Sequence, residues 1–236
     1  MYQPDWGLPF REPYLGWLLK GLAYTGVLTV TTCSLSFGLG VVLAAARVSP
    51  NRSARLAATA FVEVFRNIPT LYWIFFFYFV VPALPSGDVA FALNQWDYLP
   101  LAAAIVAITL SHAAHVGEVL RAGLQSLPEV QRRAAIALGL RPRQVFWSVL
   151  LPQAIRISYP ALGPRVVHNF HNTALATIAT VPELTWQAQK METVTFRGFE
   201  AITIVTVLFI AGSLSINALF KALDLSARRR PRPQVR

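Results

Sequence analysis

The stretch Glu118-Val-Leu-Arg121-Ala-Gly-Leu-Gln-Ser-Leu-Pro128-Glu129-Val-Gln131-Arg132-Arg133-Ala134-Ala135-Ile-Ala-Leu-Gly139-Leu140 is a polar, arginine-rich insert between two hydrophobic runs, and it continues through Phe146 to Leu151-Pro152-Gln153. Guanidinium groups at this density are too costly to place in hydrocarbon, so the insert belongs at a membrane surface. Small side chains at Ala134, Ala135 and Gly139 let a short helix seat closely in a groove. The stretch reads as a handle gripped by another protein and joined at both ends to membrane spans.

The rest of the chain supplies those spans. Its 236 residues are 55% hydrophobic and 14% charged, a composition that excludes a soluble domain with a solvated surface. The charges gather in islands and leave uncharged stretches at 21–46, 67–87, 98–117, 166–182 and 201–220. Each is near the roughly 17 to 25 residues that a membrane helix needs, so the expectation is an all-α polytopic membrane protein with about five transmembrane helices. The second helix is expected to start near Leu56, which places Glu63 and Arg66 on its first turns.

The net charge of +10 sits in loops, with no soluble domain to present it to nucleic acid. Arg47, Arg52 and Arg55 follow the first stretch, Arg121, Arg132, Arg133, Arg141, Arg143 and Arg156 lie in or beside the insert, and Arg228 to Arg230 lie in the tail. Residues 82–97 instead carry Asp88 and Asp97 and no base. The positive-inside rule then puts the N-terminus outside, the insert at 118–153 and the tail at 225–236 in the cytoplasm, and contact with anionic lipid at that tail. Residues 1–20 are expected as an outer interfacial segment, with an amphipathic helix near 10–22 anchored by Trp6, Tyr14 and Trp17, or as an extension of the first helix. Cys33 is the only cysteine, which excludes an internal disulfide.

The insert resembles the coupling loop of ABC importer permeases, whose pattern is Glu-Ala-Ala, a glycine four residues later, then an aliphatic residue shortly before Leu-Pro. Ala134, Ala135, Gly139, Val149, Leu151 and Pro152 fall at those spacings, while Arg133 stands where the pattern has glutamate. The run from Phe61 through Glu63, Arg66, Asn67 and Pro69 to Tyr78 is similar to a segment of the polar amino-acid uptake branch of that family. The resemblance implies the MetI-like permease fold as one domain over 1–236, in a bacterial cytoplasmic membrane. It implies that Gln131, Arg133, Ala134, Ala135, Gly139 and Leu140 couple to a dimer of ABC ATPases. A second permease, identical or paralogous, an external solute-binding protein and an amino-acid substrate complete the implied assembly. The chain has no phosphate-binding loop of its own, so ATP and Mg belong to the ATPase, and no cofactor is expected here.

The fourth stretch is the most polar. Arg165, His168, His171 and Asn172 recur at helical spacing, which points to a path for an acidic solute or to polar contact between subunits. Thr173 joins this candidate pathway set because residues 171–175 resemble the family's Lys-Asp/Asn-Thr/Ser-Ser-Leu pattern. The Gly163-Pro164 step is expected to break the helix and expose backbone groups to a ligand. His112 with His115 and His168 with His171 are spaced as pairs, which leaves a metal-dependent membrane enzyme as an alternative, beside an ATPase-independent channel or carrier. Ser111 beside His112 has no identifiable acid partner, so hydrolytic catalysis is not indicated.

Overall fold

The structure is a computed structural model that describes residues 3–228; the basic tail at 229–236 lies outside the described residues. Among the described residues all regular structure is helical. A 3-10 turn at Leu8–Phe10 precedes α1, Tyr14–Arg47. No proline follows Pro13 in this stretch, so nothing separates an interfacial helix from the first span, and the two form one 34-residue rod. At about 1.5 Å per residue this rod outreaches a bilayer core of about 30 Å.

α1 packs along α5, Leu99–Gln125, through small residues. A Cβ added to Gly40 would lie 2.6 Å from Val116 Cγ1 and 3.1 Å from the Gly117 backbone nitrogen, so the two backbones approach closely only because of the glycines. α5 runs without interruption to Gln125, so Glu118 and Arg121 sit on the inner turns of a span and the insert proper starts at Ser126.

The second span departs from expectation. α2, Arg52–Asn67, is capped by Asn51, whose side chain accepts from Ser53 N and Ala54 N. It is amphipathic and buries Ala58 and Val62 against Leu43, Ala113 and Ala114. Ile68 is extended, as a residue before proline prefers, and the chain turns by 103° before α3, Thr70–Phe75. α3 widens into a π-helical turn at Phe76–Val80 and ends in a 3-10 turn at Val81–Ala83. Phe65 and Trp73 stack across the bend with centroids 4.2 Å apart. The segment is therefore a helix lying across α1 and α5 followed by a short crossing piece.

After α4, Asp88–Asn94, and α5 come α6, Glu129–Ala137, and α7, Pro142–Gln144, which opens into a π-helical turn at Val145–Leu150. α8, Leu151–Asn172, passes through Pro160 and Pro164 unbroken and tightens into a 3-10 segment, Thr173–Ala179. The expected break at Gly163 is thus absent; Gly163 instead lets Phe220 pack close, since a Cβ there would lie 3.2 Å from that ring. The discontinuity falls at Thr180, whose φ of 60° ends the 3-10 segment. α9, Leu184–Thr195, is capped by Glu183, and α10, Gly198–Arg228, closes the chain.

Three helices, α1, α5 and α10, are long and apolar enough to cross a membrane, and the bent pair α2–α3 makes a fourth candidate. α8 with its extension is too polar for that test. The core lies where α1, α5, α3 and the 3-10 segment meet, around Leu28, Ile74, Ile108 and Val181. Only 6% of the apolar window of α10 is buried, so its faces are left for lipid or a second chain.

Candidate functional site: a cytoplasmic handle and a polar wall

α6 stands clear of the bundle. Ala135 is buried, while Val130, Ile136 and Leu138 are exposed, Leu138 to 83%. Gln131 and Leu140 are half-buried and Arg133, Ala134 and Gly139 are exposed, so the coupling residues expected from sequence share this element. Gly139 has φ of +81° and a Cβ there would meet nothing within 4 Å, so the glycine serves the backbone turn and not close seating within this chain. Its N–H donates to Ile136 O and that of Leu140 to Ala135 O, which closes the helix as a glycine cap does. Arg133 lies 3.7 Å from Glu129 of the same helix, and the Arg132 guanidinium hydrogen-bonded to Glu129 holds that carboxyl below its usual range.

The polar wall is built on α8, α5 and the end of α2. His112 is buried, and its Nε2 is 2.7 Å from the Arg165 carbonyl oxygen. The rings of His112 and His168 stack at 5.9 Å, and His115 lies 6.5 Å from each. Asn172 Nδ2 reaches His168 Nδ1 at 3.4 Å. Arg165 borders a cavity of about 210 Å³ with apolar walls from Phe37, Val116, Leu162 and Phe220, and with Cys33 and His112 beside them. Arg165, His168 and Asn172 therefore share a neighbourhood that sequence spacing predicted, and α5 adds two histidines to it.

Two expected members go elsewhere. His171 Nε2 is 2.7 Å from Ser213 Oγ on α10, so this imidazole ties α8 to α10. Thr173 is fully buried and its hydroxyl donates to Phe170 O. The spare polar residue of the stripe, Asn169, is also fully buried: its Nδ2 donates to Thr32 Oγ1 and lies in reach of Cys33 Sγ. Among the described residues no three His, Cys, Asp or Glu side chains are placed to share a metal ion.

Sequence reasoning paired Arg66 with Glu63. In the structure Asn67 Nδ2 donates to Glu63, and Arg66 turns instead to Glu118 of α5 at 3.9 Å. Glu118 also accepts from Arg47 of α1 and Arg121 of α5. The α5 register of His112, His115, Glu118 and Arg121, each three residues on, was the available signal for this wall. At the opposite end, burial pushes the Glu183 carboxyl up to about 7, against the N–H groups of Thr185 and Trp186 that it accepts from.

Comparison with known proteins agrees with this architecture. Residues 36–229 match the family described as "Binding-protein-dependent transport system inner membrane component". The chain is 30% identical to the glutamate/aspartate import permease protein GltJ of Escherichia coli K12, covering 87% of each chain. It is 31% identical to the histidine/lysine/arginine/ornithine permease protein HisM of Salmonella typhimurium, covering 89% of each, and 31% identical to GltK of Escherichia coli O6:H1, covering 93% of this chain and 98% of that one. An amino acid ABC transporter crystallised with histidines superposes with a TM-score of 0.80 at 24% identity, over 95% of this chain and 100% of that one. The inward-facing methionine transporter MetNI gives 0.72 at 20% identity, over 92% and 98%. The metal-enzyme and independent-carrier alternatives find no support in these matches. The chain belongs to the inner-membrane permease components of binding-protein-dependent ABC transport systems.

Proposed function

We propose that this permease forms half of the translocation path of an ATP-driven importer for amino acids, and that acidic amino acids are its preferred substrates. The observation that carries the substrate class is the wall of Arg165, His168 and His115 with Arg66 beyond it: all are at least partly exposed on helices at span depth. Such groups are tolerated beside water or a ligand, and a carboxylate that loses hydration there gains charge-assisted hydrogen bonds. Two permeases, identical or paralogous, enclose the path between them. A pair of ABC ATPases, which bind ATP and Mg, grips α6 through its exposed apolar side chains. A solute-binding protein delivers the amino acid at the outer face, with the N-terminus outside and the C-terminus inside.

The test is competitive uptake into vesicles containing this permease with the ATPase, binding protein and any second permease encoded beside it. Glutamate and aspartate should outcompete glutamine, and Arg165→Gln should reduce acidic uptake more than neutral uptake. Equal loss for both would assign Arg165 to packing, and uptake without ATP would overturn the coupling.

A further inference from the structure

We infer that Arg66 and Glu118 form the inner exit of the path, where the carboxylate of the departing amino acid takes the place of Glu118 as the partner of Arg66; this rests on the amino-acid reading above. Glu118 is the one carboxylate within salt-bridge range of three guanidinium groups, Arg47 from α1, Arg121 from α5 and Arg66 from α2. The cluster therefore holds two more positive charges than negative ones.

The three cations are not equivalent. Arg47 and Arg121 hydrogen-bond to Glu118, and their side chains are only 12% and 23% exposed. Arg66 is 37% exposed and stands at 3.9 Å, outside hydrogen-bonding distance. A guanidinium presents five N–H donors in a planar fork suited to a carboxylate, and this geometry leaves that fork open toward a second anion. Arg66 also sits on the last turn of α2, just before the 103° bend, and acts electrostatically on His115, which lies against His168. Arg165, His168, His115 and Arg66 thus make a continuous series of cationic or polarisable groups that ends at the cluster.

A transport path needs release as much as capture. Glu118 is tethered beside Arg66 and competes with any arriving carboxylate at high effective concentration, which keeps the solute's residence short. No covalent step is involved; one ion pair exchanges for another. The competition has a signature that structural support lacks. Removing the cation and removing the competing anion should shift solute affinity in opposite directions.

The experiment is equilibrium binding of radiolabelled L-glutamate to the complete nucleotide-free complex in lipid nanodiscs, without binding protein. L-glutaminamide, in which both carboxylates are carboxamides, serves as competitor. Arg66→Gln should weaken glutamate binding about tenfold, the order of one charge-assisted bidentate contact, and Arg66→Lys should fall between it and the wild type. Glu118→Gln should tighten binding about threefold or more while lowering the turnover of uptake. L-glutaminamide should compete poorly throughout. Unchanged affinity in Arg66→Gln, or an equal loss in Arg66→Lys and Arg66→Gln, overturns the assignment, and this pair decides the matter if Glu118→Gln does not assemble. Weaker binding in an assembled Glu118→Gln complex also overturns it, because the cluster would then only hold helices together. If Arg165→Gln weakens binding and Arg66→Gln does not, the exit assignment fails alone. If the wild-type complex binds no amino acid, the reading beneath it fails as well.

Discussion

Asn169 on α8 donates its side-chain amide to Thr32 Oγ1 on α1 across 2.7 Å, and neither residue has exposed surface. Thr32 in turn donates to Leu28 O of its own helix, so the bond closes a short relay between the two helices. This contact holds the polar helix against the apolar rod, independently of any solute.

Removing it should cost stability and not selectivity. Asn169→Ala deletes a buried donor and leaves space between α1 and α8, a loss of about 1 to 3 kcal/mol. Thermal unfolding of the complex in detergent should show a lowered midpoint. The ratio of acidic to neutral uptake by the surviving protein should be unchanged, and a changed ratio would place Asn169 in the path.

Gly139→Val should disturb the handle without touching the bundle. A β-branched residue at φ of +81° is strained by more than the roughly 1 to 2 kcal/mol usual for an L-residue in left-handed geometry. The end of α6 should re-form differently, so that binding-protein-stimulated ATP hydrolysis continues while solute moved per ATP falls. Normal coupling in an assembled complex would sink the assignment of α6.

Gly40→Leu should be more severe. Its side chain meets Val116 and the Gly117 backbone, which cannot retreat as a flexible side-chain end can. Overpacking of this kind costs about 1 to 3 kcal/mol or more, and the yield of folded permease should drop; Gly26→Leu, where a Cβ meets nothing within 4 Å, is the tolerated control.

Glu183 gives a pH dependence with a definite sign. Its carboxyl titrates at about 7 when folded against an ordinary 4.5, so between these values the folded state holds the proton that the unfolded state has lost. Stability from this group is greatest below 4.5 and declines as pH rises to about 7. Glu183→Gln cannot titrate, so the difference in unfolding midpoint between pH 5 and pH 8 should shrink in that variant. An undiminished difference would mean that other groups carry it.

Topology can be read by labelling. Single cysteines introduced at Ser86 or Asn94, in a background lacking Cys33, should react with an impermeant reagent from outside. One at Asn51 should react only after the cell is opened. The reverse pattern would invert the placement of α6.

The spans were legible because charge is expensive in hydrocarbon, so the islands of arginine between apolar stretches mark where the chain leaves the membrane. Other features depended on distance in space. Arg66 has an acid three residues before it, yet its partner is Glu118, brought near only by the turn at Pro69. His171 and His168 look equivalent in spacing, but Ser213 on a later helix claims one of them. Gly139 was noticed for its small size, whereas its backbone angle is what requires glycine. Helical periodicity can place residues on a face; it cannot say which neighbouring helix that face will meet.

The 103° turn before Thr70 has an electrical consequence. Only Thr70–Ala83 remains to cross at that place, and 14 residues rise roughly 21 Å, well short of a hydrocarbon core of about 30 Å. The insulating layer is thinned there, so the membrane voltage falls over a shorter distance than elsewhere along the protein. An anion passing Arg66 would meet a steeper field, and the arginine surplus at that point offsets the work of moving negative charge toward the negative side of the membrane.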